Sequence, residues 1–109
     1  MKIKQVLFVI AFLLSACSRK SEEQLFKEAQ EAVQQKNPQL SAQLYLELVD
    51  RFPKGKFADS SQFYLAMTYN NDLKDTLKAL NAYRKVYELF PESKLAPTSL
   101  FPSGFLLNN

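Results

Sequence analysis

The amino-acid sequence predicts an all-α fold in which antiparallel helix pairs stack side by side as an α-solenoid. One observation is a repeated phrase, which reads RFPKGKFAD at residues 51–59 and LFPESKLAP at residues 89–97. Pairing Pro53 with Pro91 gives an offset of 38 residues, and a fixed period of this size is typical of repeat architectures. The other observation is that apolar residues recur at helical spacing around both copies, whereas no stretch alternates with the period of a strand.

The composition limits the functions that the chain can carry. It has 109 residues, which allows one domain, with no histidine, one cysteine and two glycines. Without histidine there is no Ser-His or Cys-His pair and no imidazole ligand, so we expect no catalytic residue, metal or cofactor. Setting aside Lys2 and Lys4 of the leader leaves 12 basic residues (14 − 2) against 11 acidic ones, a net charge of +1. Such a balance gives no electrostatic footprint for nucleic acid, so we expect no nucleic-acid partner.

Residues 1–16 have the form of a secretory signal peptide. Lys2 and Lys4 supply the positive charge at its start, and residues 6–14 form an uninterrupted apolar run of nine residues. A transmembrane helix needs about 20 apolar residues, so this run is too short to span a bilayer. We therefore expect the leader to be removed from the mature protein.

The leader ends in Leu14-Ser15-Ala16-Cys17, which resembles the lipobox of bacterial lipoproteins. The resemblance implies that a dedicated peptidase cuts before Cys17, that lipid on this cysteine anchors the chain to a membrane, and that residues 17–20 form a short tether. The alternative is an ordinary signal peptide followed by a cysteine. Ser18 stands where lipoproteins retained at the inner membrane of Gram-negative bacteria often have Asp. Its presence favours a lipid anchor in the outer membrane, in the cell envelope and facing the periplasm.

The helical domain is predicted over residues 21–109. Helices are expected at about 22–36, 38–52, 58–71 and 75–90, with a fifth that starts near residue 97. Ser21 and Gln24 form a capping box, Pro38 suits an early helical position, and Asp75 suits an N-cap. Asn70-Asn71-Asp72 is interpreted as a turn. All connections are short, so neighbouring helices are expected to be antiparallel.

The apolar stripes predict which side chains face inward. The predicted inward residues are Leu25, Phe26, Ala29, Ala32, Val33, Leu40, Leu44, Tyr45, Leu48, Val49, Phe52, Phe63, Ala66, Met67, Ala79, Ala82, Tyr83, Val86 and Phe90. In the third helix, either Tyr64 or Tyr69 is a further candidate for an inward position. Six of them are expected to lie buried in one continuous stack: Tyr45, Leu48, Phe63, Met67, Tyr83 and Val86. The acidic pairs Glu22/Glu23 and Asp72/Asp75 are interpreted as helix-start charges rather than as a catalytic carboxylate pair.

The helix pairs have small residues where the helices cross, an aromatic residue one turn later and a proline at each pair boundary. This pattern resembles the tetratricopeptide repeat family, whose repeat is about 34 residues long. The matching positions are Leu25, Ala29, Ser41, Tyr45, Leu48 and Pro53 in the first unit, Phe63, Ala66, Met67, Ala79, Tyr83, Val86 and Pro91 in the second, and Phe101 and Gly104 at the start of a third. The chain departs from the family pattern in four ways. Neither complete unit has glycine at its small position. The second unit is longer by about four residues, Ser41 stands where alanine is usual, and Pro102 falls inside the expected fifth helix.

The lipobox and the R-F-P-x-x-x-x-A linker together resemble the envelope group of repeat lipoproteins, which includes the BamD-like lipoproteins of outer-membrane β-barrel assembly. The resemblance implies a non-enzymatic, lipid-anchored periplasmic scaffold that binds other envelope proteins on a concave surface. Because the first helix of each pair lines that surface in the family, Tyr64, Thr68 and Asn71 are the implied protein-binding residues. Two alternatives stay open: an adaptor in cell division or cell-wall coordination, and a small envelope hydrolase.

The sequence also predicts that the repeat domain is incomplete at its C-terminal end. Two helix pairs are followed by one unpaired helix with apolar residues such as Phe101 and Phe105. A solenoid ordinarily ends in a capping element with a polar outer face. We therefore expect the chain to be a piece of a longer repeat lipoprotein. The alternative is that a partner protein or a second copy covers the unpaired helix.

Overall fold

The computed structural model describes residues 19–96, and this part of the chain is helical without any strand. Its elements are α1 (Glu22–Gln34), α2 (Pro38–Arg51), α3 (Ala58–Met67), a π-helical turn (Thr68–Asp72) that continues α3, and α4 (Thr76–Leu89). The all-α prediction and the two antiparallel pairs, α1–α2 and α3–α4, are confirmed. The leader, Cys17, and the expected fifth helix with Pro102 lie outside the described residues. None of the helices within residues 19–96 is long and apolar enough to cross a membrane.

Three helices begin at side-chain caps. The Gln24 N–H donates to Ser21 Oγ at 3.2 Å, the first half of the predicted capping box, and the Lys78 N–H donates to Asp75 Oδ1 at 3.1 Å. Asn37 caps α2 in the same way, with Pro38 in the first turn. Each cap satisfies a backbone N–H that would otherwise lack a partner, which contributes about 1 kcal/mol.

The two helix pairs close through turns with the same backbone conformation. Lys36 in the first turn has φ of 58° and Lys74 in the second has φ of 54°. Both lie in the left-handed region, which lets a helix end and the chain reverse within a few residues. These lysines are 38 residues apart, so the sequence offset also holds at the hairpins.

The two copies of the Phe-Pro phrase have the same backbone conformation and the same backbone hydrogen bond. Phe52 has φ/ψ of −128°/60° and Phe90 has −129°/57°. The Gly55 N–H donates to the Phe52 carbonyl at 3.0 Å, and the Ser93 N–H donates to the Phe90 carbonyl at 3.0 Å. Phe52 and Phe90 therefore end their helices in the same way, as the repeated phrase predicts.

Each of these linkers is tied to the helix pair before it by an acidic residue. Glu22 Oε2 accepts a hydrogen bond from the Phe57 N–H at 3.0 Å, and Asp59 Oδ2 accepts one from the Ser93 hydroxyl at 2.6 Å. The Glu22 carboxylate occupies the space where a Cβ at Gly55 would stand, so the absence of a side chain there admits the contact. Glu22 and Asp59 thus fix how consecutive units join, beyond any effect on the helix dipole.

The core consists of two clusters rather than the one continuous stack that was predicted. The first contains Leu25, Ala29, Ala42, Leu44, Tyr45, Leu48 and Leu65; the second contains Ala66, Ala79, Ala82 and Tyr83. Half-buried Tyr69 packs against both. The division arises because α3 turns one side chain, Leu65, toward the first pair and its neighbour Ala66 toward α4.

The predicted burial is wrong for some inward residues and only partly right for others. Val33 is 45% exposed and Leu40 is 38% exposed, and both lie beside the turn that closes the first hairpin. Phe63 and Met67 are half-buried rather than buried, since each packs only at the margin of the second cluster. By contrast, Tyr45, Leu48, Tyr83 and Val86 are buried as predicted, and so is Ser41, at a position where alanine is usual.

The end of α3 is the main local feature that the sequence did not predict. Asn70, Asn71 and Asp72 were interpreted as a turn, but they continue the helix in π geometry. The Leu73 N–H donates to the Thr68 carbonyl at 3.0 Å, five residues back, where an α-helix would use the residue four back. The reversal of the chain therefore comes after Asp72.

Candidate functional site

A groove with a volume of about 400 Å³ lies between α1 and the end of α3, and we call it the α1–α3 groove. From α1 it is lined by Gln30, Val33 and Gln34. From α3 and the π-helical turn it is lined by Tyr64, Met67, Thr68, Asn71 and Asp72, and Tyr45 of α2 also reaches it. It thus lies on the side formed by the first helix of each pair.

The structure brings the three implied binding residues together in this groove. Tyr64, Thr68 and Asn71 are spaced i, i+4 and i+7 along α3 and the π-helical turn, which places them on one face. Tyr64 is 36% exposed, whereas Thr68 is buried and its hydroxyl donates to the Tyr64 carbonyl at 2.8 Å. Asn71 is exposed, and its Oδ1 accepts from Asn70 Nδ2 at 3.2 Å. Thr68 therefore shapes the groove, while Tyr64 and Asn71 present free surface to it.

Aromatic side chains hold Tyr64 in place. Its ring centroid lies 5.8 Å from that of Tyr45 and 6.2 Å from those of Phe26 and Phe63. Phe26 in turn stacks on Phe57 of the linker at 4.5 Å with an interplanar angle of 12°. Offset-stacked and edge-on pairs of this kind are attractive and restrict side-chain motion. The Tyr64 ring is therefore a preorganised contact surface.

The Tyr45 hydroxyl is a neutral group. Burial raises the pKa of Tyr45 to about 12, and the neighbouring Tyr64 adds a smaller electrostatic contribution in the same direction. At physiological pH this phenol keeps its proton, so it can donate or accept a hydrogen bond but cannot act as a base.

The polar lining of the groove consists mostly of amides. Gln30, Gln34 and Asn71 each carry two N–H donors and a carbonyl acceptor, and Asp72 is the charged residue among the described lining. Amides match the alternating N–H and C=O groups of an extended backbone. Within residues 19–96, no group of three or more His, Cys, Asp or Glu side chains is placed to hold a metal ion. The arrangement supports hydrogen bonding and apolar contact with a peptide segment.

Sequence reasoning named the α3 side of the groove but missed its α1 side. Moving 38 residues back from Tyr64, Thr68 and Asn71 gives Phe26, Gln30 and Val33. Gln30 and Val33 do line the groove, and the Phe26 ring packs near Tyr64. The repeat offset was therefore the signal that could have found the other wall.

Comparison with known families supports the repeat assignment. The family model described as Tetratricopeptide repeat matches residues 60–93, which comprise most of α3, the π-helical turn and α4. No curated protein matches the chain. The matched stretch is 34 residues long, which is the repeat length of the family. The chain contains a tetratricopeptide repeat within a helical solenoid, a class of domain that ordinarily binds other proteins and is not catalytic.

Proposed function

We propose that this protein is a lipid-anchored periplasmic scaffold, and that its α1–α3 groove binds an extended segment of another envelope protein during outer-membrane β-barrel assembly. The observation that carries the binding role is the geometry of the groove within a tetratricopeptide-repeat fold. Tyr64 is held by its aromatic neighbours and remains 36% exposed, and amides of Gln30, Gln34 and Asn71 lie along the same groove. A rigid aromatic contact loses little conformational entropy when a ligand binds.

The proposed anchor is supported by the sequence around Cys17. This cysteine is the single one in the printed sequence, and Ser15 and Ala16 separate it from an apolar run that has a basic start. Acyl chains stabilise membrane attachment by about 0.8 kcal/mol for each buried CH₂ group, so two or more chains hold a protein firmly. Ser18 in the next position is the reason for proposing the outer membrane rather than the inner membrane.

In-cell photo-cross-linking tests the proposed binding role. A photoreactive phenylalanine analogue replaces Tyr64 in the full-length chain, and the matched control places it at Tyr87, which is 47% exposed and lies outside the groove lining. We expect position 64 to capture a defined protein of the outer-membrane assembly machinery and position 87 to capture none. A cross-linked division or cell-wall protein would keep the scaffold role but contradict the assembly role. Equal capture at both positions would contradict the assignment of the groove.

A further inference from the structure

A second groove, which we call the α2–α4 groove, runs between the second helices of the two pairs and has a volume of about 410 Å³. From α4 it is lined by Lys78, Asn81, Ala82, Lys85 and Leu89. Their spacing is i, i+3, i+4, i+7 and i+11, which is one continuous stripe along a helix. At 1.5 Å per residue, this stripe is about 16 Å long, or three helical turns.

The walls and floor of this groove are largely apolar. Leu46 is 41% exposed and Leu89 is 61% exposed, and they stand on the facing walls α2 and α4. Between them, Leu65 and Tyr69 form part of the floor. Gln62 also lies there, and its amide nitrogen already donates to the Ala82 carbonyl at 3.0 Å. A cleft with exposed leucine on both sides is suited to receiving apolar side chains.

The charges at the rim of the groove are mainly positive. Lys54, Lys78 and Lys85 line it together with one carboxylate, Asp50. Lys78 Nζ lies 5.7 Å from the centroid of the Tyr69 ring, which holds this ammonium over the groove. Within residues 19–96, neither Lys78 nor Lys85 forms an ion pair. The residues of the printed sequence outside 19–96 include no Asp or Glu.

We propose that the α2–α4 groove binds an acidic amphipathic segment of a second protein, independently of the α1–α3 groove. Apolar side chains of the segment pack between Leu46 and Leu89, and its carboxylates pair with the ammonium groups of Lys78 and Lys85. These two lysines are seven residues apart, which is about 10 Å along the helix axis. A helical ligand with carboxylates at positions i and i+7 beside a leucine stripe matches that spacing.

Fluorescence anisotropy with designed peptides tests this proposal. The probe is a labelled amphipathic helical peptide of about three turns, with Glu at i and i+7 and Leu along the adjacent stripe. We expect the full-length chain in detergent to bind it, with an affinity that falls as salt is added. The double substitution Lys78→Glu/Lys85→Glu should weaken binding by about tenfold or more. Leu89→Ser should weaken binding without changing its salt dependence.

The control variant is Lys27→Glu/Arg84→Glu, which makes the same change in net charge at exposed residues outside the groove lining. We expect it to bind the peptide at least half as well as the unmodified chain. A peptide with Lys in place of Glu should not bind. The proposal is overturned if the acidic peptide does not bind, if the Lys-containing peptide binds equally well, or if both double variants lose affinity alike. It is also overturned if the groove lysines support binding to phosphatidylglycerol vesicles but not to the peptide.

Discussion

Replacing Tyr83 with alanine should lower the free energy of unfolding by about 3–5 kcal/mol. Tyr83 is 5% exposed, and its ring lies 5.8 Å from that of Phe63 at an interplanar angle of 67°. The other buried members of its cluster are three alanines, which are too small to fill the space that the ring would leave. Phe63, Met67 and Tyr69 pack at the margin of the cluster, and relaxation by them would bring the cost toward the lower end of the range. Burying roughly 150 Å² of an aromatic side chain at about 25 cal/mol per Å² gives about 4 kcal/mol, within that range.

The assay is urea-induced unfolding of the full-length chain, followed by circular dichroism at neutral pH. Tyr87→Ala is the matched control, because Tyr87 lies one turn further along α4 and is 47% exposed. We expect the control to cost less than about 1 kcal/mol, as surface substitutions usually do. A cost below about 1 kcal/mol for Tyr83→Ala, or equal costs for the two variants, would refute the placement of Tyr83 in the core.

Three further predictions concern the hydroxyl of Tyr45, the linker contact and the anchor. The pKa of Tyr45 is about 12 in the folded chain and about 10 in the unfolded chain, so the unfolded chain loses the phenol proton first as the pH rises. The contribution of the Tyr45 hydroxyl to the free energy of unfolding is therefore fully present below pH 10 and is lost as the pH rises toward 12. The urea midpoint of unfolding should therefore decrease between pH 10 and pH 12 in the unmodified chain, and this decrease should be smaller in Tyr45→Phe. Glu22→Ala should cost about 1–2 kcal/mol because it leaves the Phe57 N–H without its acceptor, whereas Glu23→Ala, at an exposed position, should cost much less. Cys17→Ala should move the protein from the membrane fraction to the soluble fraction or leave an uncleaved precursor; normal processing and unchanged partitioning would rule out the lipid anchor.

Local sequence signals were sufficient to predict the positions of α1 to α4, except for the end of α3, and the Phe-Pro linkers that follow α2 and α4. Phe52-Pro53 and Phe90-Pro91 end their helices with nearly the same backbone angles, because proline cannot continue a helix. Asp75 caps α4 as predicted, since a carboxylate can accept the N–H three residues on. Buried Tyr83 was likewise predictable from its place in the helical stripe.

The contacts between units could not be predicted in the same way. Glu22 and Phe57 are 35 residues apart and are hydrogen-bonded, and no local pattern marks such a pair. The π-helical turn was missed because Asn70 and Asn71 are also typical of an ordinary turn, and the choice depends on how α3 packs against its neighbours. Val33 has the hydrophobicity of a core residue but lies beside a groove, so its apolar character indicates a binding surface equally well.

The most direct test of the central claim is the affinity of the captured partner for variants of the α1–α3 groove. Purified full-length chain is titrated with the protein captured at position 64, comparing the unmodified chain with Tyr64→Ala, Asn71→Ala and the control Tyr87→Ala. Unfolding curves measured alongside show whether each variant is folded. If Tyr64→Ala is unstable, Asn71→Ala still tests binding through the α1–α3 groove. Binding through the groove predicts a loss of about tenfold for Tyr64→Ala, a smaller loss for Asn71→Ala and none for Tyr87→Ala. Unchanged affinity in both groove variants would contradict the account.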